Sequence, residues 1–213
     1  MPSHAPAARP HPAASWLLAS LIALAPLAHA QTQAAATQVR VETNLGSFVI
    51  ELATARAPLT TTAFVGNARS GYYVGTVFHR VIANFVVQGG GYDEKFQAKT
   101  APATVGNESG NGLSNKRGTV GLARGESPHS GNAQFYVNLT DNDDLDPTPL
   151  RWGYAVFGKI VEGMDVVDRI GHAPTGSIGP WSKDAPLDSI VIKRMEVLGG
   201  APVAPAAAAA APH

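Results

Sequence analysis

The chain has 213 residues, 16 basic and 16 acidic, with 22 Gly, 16 Pro and no Cys. Net neutrality leaves no electrostatic footprint for nucleic acid or an anionic membrane surface. Without thiols there is no disulfide, no thiolate nucleophile and no Cys-ligated zinc, while 45% apolar and 15% charged residues argue against wholesale disorder.

Residues 1–30 hold five prolines (2, 6, 10, 12 and 26) and one formal charge, Arg9, ahead of an apolar run at 16–24 and the exit Leu27-Ala28-His29-Ala30. A basic start, an apolar stretch of about a dozen residues and an A-x-A end spell a secretory signal peptide. A span needs roughly twenty apolar residues, so no stable membrane insertion is expected after cleavage. The alternative, a buried N-terminal helix, fits Pro26 and the small-residue exit less well. The expected mature chain begins at Gln31 with 15 basic against 16 acidic residues, a charge of −1, and is periplasmic or secreted from a bacterium.

Residues 31–38 read as a linker. Strands are expected at 39–43 and 47–52, joined by Asn44-Leu45-Gly46. Pro58 suits the first turn of a helix, and Leu59, Thr62, Ala63, Phe64, Asn67 and Ala68 keep helical spacing toward Ser70-Gly71. A close strand pair at 77–82 and 85–88 is closed by Gly89-Gly90-Gly91. Residues 92–117 show no period, and a loop that long in a compact domain is functional or covers the framework. Strands follow at 119–123, 135–139 and 154–161, then a short helix at 162–171 ending on Gly171, and a last strand at 188–197. From 199 to 213 an Ala/Pro run cannot bury enough surface to order itself and is expected to be a disordered tail. The domain at 39–198 therefore holds eight of the sixteen prolines and twenty of the twenty-two glycines. About eight short strands, two separated helices and no βα alternation predict a mainly β fold. Its expected form is a closed eight-stranded antiparallel barrel capped by two helices.

Several chemical signals fail on inspection. Residues 141–146 begin like a calcium loop but carry Leu145 at the fifth position and Asp146 where the sharp-turn Gly belongs, so a solvated acidic turn is expected. No His pair has metal-ligand spacing, and there is no phosphate loop, dinucleotide fingerprint or G-x-S-x-G elbow. His79 reads as a hydrogen-bonded framework residue. Residues 107–109 and 138–140 match the glycosylation sequon, a triplet that also arises by chance.

The informative segment is Phe78-His79-Arg80-Val81-Ile82-Ala83-Asn84-Phe85-Val86-Val87-Gln88-Gly89-Gly90. It is followed by Gly118-Thr119-Val120-Gly121-Leu122-Ala123, Asn132-Ala133-Gln134-Phe135-Tyr136-Val137 and Tyr154-Ala155-Val156-Phe157-Gly158-Lys159. Together these four motifs resemble the cyclophilin family of peptidyl-prolyl cis-trans isomerases, most of all its shorter, exported bacterial members. The resemblance implies an outer-face groove for an extended Xaa-Pro peptide, no cofactor and no metal. Position by position it implies Arg80 as the catalytic guanidinium, and Phe85, Val86, Tyr136 and Leu145 around the proline. It implies Gln88 and Gln134 as polar groups beside the peptide, Ala123 with Arg124 as the edge holding its backbone, and Tyr154 where many members have His. Partners would be unfolded or partly folded proteins with Xaa-Pro bonds, met by a monomer.

Three departures stand out. Asp144 occupies a rim position where the family often has Trp or Phe, which should weaken cyclosporin-type inhibition. Tyr136 replaces Phe, so its hydroxyl needs a partner, and Val86 replaces Met with a smaller, stiffer wall. Trp152 is a candidate cover for the proline pocket. Strand parity raises one difficulty. A two-residue turn at Ala83-Asn84 would set Arg80 opposite Val87 and put Gln88 on the other face, so joining Arg80 to Gln88 needs a bulge or wider turn. Two functions follow: an isomerase assisting the folding of exported proteins, or a proline-peptide-binding, chaperone-like module with weak turnover.

Overall fold

One curled eight-stranded sheet, a separate two-stranded hairpin and two helices make up the described fold. The computed structural model describes Met1 and residues 36–199. The expected signal peptide beyond Met1, most of the linker and all but the first residue of the tail lie outside the described residues. In chain order the elements are β1 (Gln38–Thr43), β2 (Gly46–Leu52), α1 (Pro58–Arg69), β3 (Thr76–Ile82), β4 (Val86–Asp93), β5 (Thr119–Leu122) and β6 (Phe135–Asn138). They continue with β7 (Val156–Glu162), α2 (Met164–Gly171), β8 (Thr175–Ile178), β9 (Trp181–Pro186) and β10 (Ile192–Leu198), and single 3-10 turns occupy Ser109–Asn111 and Asp143–Leu145.

Eight strands form one antiparallel sheet in the order β10-β1-β2-β7-β5-β6-β4-β3. The sheet curls until its two end strands meet through the Val77–Val191 bridge and the bonds Gly75 N–H to Ile192 O and Phe78 N–H to Ile190 O, both 2.9 Å. Joining the ends removes the exposed edges that so many short strands would otherwise leave. Phe48, Phe78, Phe135 and Phe157 fill the interior, and Phe64 of α1 packs on Phe157 at 5.0 Å and edge-on to Phe135 at 5.5 Å. Val166, Val167 and Ile170 of α2 join the same core.

The buried side of α1 is Thr60, Thr61, Phe64, Val65, Asn67 and Ala68, whereas Leu59 is exposed. The helix has no acid in its first turn. Glu108 supplies one from the 92–117 loop, accepting from Leu59 N–H at 3.0 Å, Thr60 N–H at 2.8 Å and the Thr60 hydroxyl at 2.7 Å. A carboxylate there satisfies orphan donors and complements the helix dipole. The aperiodic loop is thus a strap that caps a helix far away in sequence.

The β8–β9 hairpin is absent from the sequence expectation. Its Thr-Gly-Ser-Ile and Trp-Ser-Lys-Asp-Ala-Pro strands have neither alternation nor β-branched enrichment to betray them. It packs on the outside of β3, where Trp181 stacks on His79 with ring centroids 5.3 Å apart and 30° between planes. Tyr92 lies 4.7 Å from the same imidazole and Phe96 lies 5.5 Å from Trp181. The expected hydrogen-bonded His79 is corrected in one respect: its buried Nδ1 has no hydrogen-bond partner among the described residues.

Burial pushes the His79 imidazole down to about 4 from its ordinary 6.5, and the neighbouring Arg80 charge acts in the same direction. Between those values the unfolded chain takes up a proton that the folded chain refuses. Stability is therefore complete above about pH 6.5 and declines as pH falls toward 4, by roughly 2–3 kcal/mol. A His79→Gln variant should lack this component. Urea midpoints of wild type and variant that ran parallel from pH 7 to pH 4 would contradict it.

Candidate active site

The site is built by register. Ile82 pairs with Val86, Val81 with Val87 and Arg80 with Gln88, so the β3–β4 loop has three residues rather than two. Asn84 adopts a left-handed φ of 56° and Phe85 N–H donates to Ile82 O at 3.0 Å. A second irregularity falls between Phe78 and Arg80, where two steps on β3 match the single step from Gly89 to Gln88 on β4. This bulge places His79 and Arg80 outside the core that Phe78 and Val81 enter on either side. The three-residue turn sets Gln88 opposite Arg80 on one face, and the bulge lets Phe78 stay in the core beside them.

The ladder continues across β6 and β5, pairing Gln88 with Tyr136 and Tyr136 with Gly121. Arg80, Gln88, Tyr136 and Gly121 thus form one row over four strands. Arg80 Nη1 donates to Gln88 Oε1 at 3.3 Å, and Gln88 Nε2 donates to Gln134 Oε1 at 3.0 Å. Around this row lies a cavity of about 200 Å³ lined by Arg80, Phe85, Val86, Gln88, Ala123, Arg124, Tyr136, Leu145 and Tyr154. Of the ten residues singled out from sequence, only Gln134 does not line it. That side chain borders an adjoining cavity with Gln88, Ala123, Arg124 and Asn132.

Trp152 does not cover the cavity, contrary to the sequence expectation. It packs against His129 at 5.3 Å and lines a separate hollow. The Trp152 backbone is held by Arg124, whose Nη2 donates to its carbonyl at 2.9 Å.

The two guanidiniums of the cavity have different obligations. Arg124 stacks over Tyr154 at 4.5 Å and donates to the carbonyls of Gly125, Glu126, Trp152 and Gly153. Arg80 donates to Gln88 alone, and no carboxylate among the described residues pairs with it. An Arg carries five N–H donors, so most of those on Arg80 remain available at the cavity. Beside it, Ala123 N–H is spent on Gln134 O at 2.9 Å, while Arg124 N–H takes no partner within the described residues.

Two contributors carried no role in the sequence reading. Gly121 is the floor under Tyr136, since a Cβ there would collide with the phenol. Asn115, wholly buried, receives the Tyr136 hydroxyl on Oδ1 at 2.6 Å and Asn138 Nδ2 at 3.2 Å. Its own N–H and Nδ2 both donate to Asp146 Oδ1 at 2.8 Å. Burial pushes the Tyr136 phenol well above its ordinary range, with Tyr154 and Asp146 adding to it, so the hydroxyl stays protonated and donates. Gly121 sits inside a quoted motif, but Asn115 lies in the aperiodic loop, where nothing in the sequence marks it. In the acidic turn Asp141, Asp143 and Asp144 are exposed as expected, with Asp143 bridged to Lys116 at 2.6 Å, whereas Asp146 is half-buried and tied to Asn115. Asn138 is buried and bonded, so its sequon is inaccessible.

A curled eight-stranded sheet with two helices, carrying on its outer face a mixed cavity whose apolar wall meets an unneutralised guanidinium, fits a class of peptide-binding isomerase. The comparisons place the chain within it. The family model described as cyclophilin type peptidyl-prolyl cis-trans isomerase/CLD matches residues 38–197. Among curated relatives, a peptidyl-prolyl cis-trans isomerase of Streptomyces antibioticus is 46% identical over 76% of this chain and 98% of its own length. Peptidyl-prolyl cis-trans isomerase B of Escherichia coli is 41% identical over 75% of this chain and 98% of its own. A crystal structure of a cyclophilin-type isomerase from Cryptosporidium parvum, 24% identical, superposes with a TM-score of 0.64 over 78% of this chain and 99% of its own, which supports the fold. A second structure of that protein, with a TM-score of 0.63 and 25% identity over 76% of this chain and 99% of its own, was solved in the presence of the dipeptide Ala-Pro. The chain belongs to the cyclophilin family and is a peptidyl-prolyl cis-trans isomerase.

Gly121→Ala should drive the Tyr136 ring into the cavity. Turnover of a Xaa-Pro peptide is expected to fall at least about tenfold, with a stability loss of about 1–3 kcal/mol. Undiminished turnover in a folded variant would remove Tyr136 from the proline wall.

Proposed function

We propose that this isomerase accelerates rotation about Xaa-Pro bonds in exported proteins while they fold, with Arg80 as its catalytic guanidinium. The observation that carries the reading is the 200 Å³ cavity, whose apolar wall of Phe85, Val86, Tyr136 and Leu145 faces an Arg80 held by Gln88 and neutralised by no described carboxylate.

An amide resists rotation because resonance gives its C–N bond double-bond character, a barrier of about 18–20 kcal/mol. For Xaa-Pro both isomers are populated and interconvert over tens to hundreds of seconds. Halfway round, resonance is lost and the proline nitrogen holds a pyramidal lone pair. A donor fixed at that place binds the twisted state better than either planar one, and each ~1.4 kcal/mol of preference is about a tenfold gain in rate. Arg80 is suited to this role: permanently charged, rigidly forked and oriented by Gln88 on its own strand pair. The apolar wall grips the ring while the preceding segment turns. Arg124 N–H, which lacks a partner, offers a bond to the peptide backbone at the cavity edge.

The Ala-Pro dipeptide named with the Cryptosporidium parvum structure supports a proline-containing occupant. Export rests on the signal-like segment at 1–30, and its consequence is action in a periplasm or outside the cell; the balanced charge favours a monomer. Asp144, exposed in the 3-10 turn next to the lining residue Leu145, supports weak cyclosporin-type inhibition.

A protease-coupled assay on an Ala-Pro-Phe peptide tests the assignment. Arg80→Ala should lower kcat/KM by about 10²–10³-fold with the melting temperature unchanged. Turnover equal to wild type would contradict it.

A further inference from the structure

A second hollow of about 400 Å³ lies beside the proline cavity, lined by Ser109, Pro147, Pro149, Leu150, Arg151 and Trp152 among others. Its apolar lining is unusually open to water: Leu150 is 98% exposed and Trp152 49%. Exposed leucines are common singly, but a Leu, a Trp and two prolines together on one loop make a patch.

The loop is built to stay as it is. Thr148 N–H donates to Arg151 O at 2.9 Å and Arg151 N–H returns to Thr148 O at 3.1 Å, leaving Pro149-Leu150 as the turn centre. Pro149 presets the backbone for that place. The Arg151 guanidinium donates to Asp144 O at 2.7 Å and Asp146 O at 2.9 Å, and so ties the turn to the residues flanking Leu145. Arg124 holds the Trp152 carbonyl, and Gly153 N–H donates to the Ser109 hydroxyl at 3.2 Å. Gly153 permits this closeness, since a Cβ there would collide with Pro147 N. An apolar side chain held at the tip of a braced turn gains nothing within its own domain. Held in place, it binds a ligand with little further ordering cost.

The neighbouring groove indicates the occupant. Leu145 and Tyr154 line the proline cavity, while Pro147 and Trp152 line the hollow, two residues away along the chain on either side. Two residues of extended chain span at most about 7 Å. A peptide whose proline sits against Leu145 reaches the hollow within a few residues.

We propose that the 147–152 loop is a second substrate subsite, taking an apolar or aromatic side chain that lies a few residues from the proline in the same polypeptide. This rests on the proline groove described above. It would bias the isomerase toward prolines flanked by segments destined for a hydrophobic core, which only unfolded chains expose.

The test uses the full-length protein and three probes: an Ala-Ala-Pro-Ala tetrapeptide, a longer peptide around the same core with Phe flanking at several positions, and its Ser counterpart. Wild type should favour the Phe peptide over the Ser peptide by about tenfold in kcat/KM. Leu150→Ser and Trp152→Ala should each shrink that preference to about twofold or threefold, with tetrapeptide turnover unchanged. In wild type the Leu150 methyl and Trp152 indole NMR signals should move with the Phe peptide and stay put with the tetrapeptide. Unmoved signals, or a preference that survives both substitutions, would overturn the proposal. Self-association of wild type that Leu150→Ser abolishes would also overturn it, in favour of a second copy as occupant. Absent tetrapeptide turnover in wild type would instead strike at the groove itself, and the Leu150 and Trp152 signals would still decide the subsite.

Discussion

One irregular step in one strand decides what the outer face of this barrel can do. A regular β3 would send Phe78 and Arg80 to the same side, so an Arg80 in the groove would bring the Phe78 ring out of the core. The bulge at His79 breaks that parity, and the three-residue turn at Ala83-Asn84-Phe85 sets the return strand so that Gln88 arrives opposite Arg80. From there the sheet extends the alignment, with Gln88 beside Tyr136 and Tyr136 beside Gly121. The row therefore owes its order to backbone register. Its side chains then need only short reaches to meet.

Keeping the row open is the work of polar groups beneath it. The Tyr136 ring forms the proline wall only because Gly121 leaves room below and Asn115 takes up its hydroxyl. Asn115 in turn is saturated by Asp146 and Asn138, while Asn142 Nδ2 extends the network to Asn138 Oδ1 and Phe85 O. Both a wall residue, Tyr136, and the backbone of another, Phe85, hang on the same buried amides. Such a network stabilises when every member is paired and costs heavily when one is lost. The two arginines divide labour in a similar way. Arg124 spends its donors on loop carbonyls and acts as a brace, which leaves Arg80 to face a substrate.

Much of the fold was legible in sequence because its signals were local. Pro58 opened α1 where expected, Gly171 closed α2, and the alternating apolar segments became strands of the sheet. The missing hairpin, β8–β9, is polar on both sides and announced only by Trp181, whose partners His79, Tyr92 and Phe96 are distant in the chain. Leu59 lies in α1 as its spacing suggested, and is exposed because the N-terminus of the helix faces Glu108 and solvent rather than the core. At the site, the motif residues were visible as residue types, and parity showed that Arg80 and Gln88 could share a face only through a bulge or a wider turn, of which the three-residue turn is the one that pairs them. Asn115 and the course of Trp152 were invisible, since each depends on hydrogen bonds between loops of no periodicity.

The central claim is that Arg80 acts on the twisted peptide bond rather than on affinity. Exchange spectroscopy of an Ala-Pro peptide at saturating protein measures both quantities, for wild type and for Arg80→Lys, which keeps the charge and loses the fork. The account predicts peptide affinity within about fivefold of wild type and on-enzyme interconversion slowed by about 10²-fold. Interconversion at the wild-type rate in the lysine variant would contradict it.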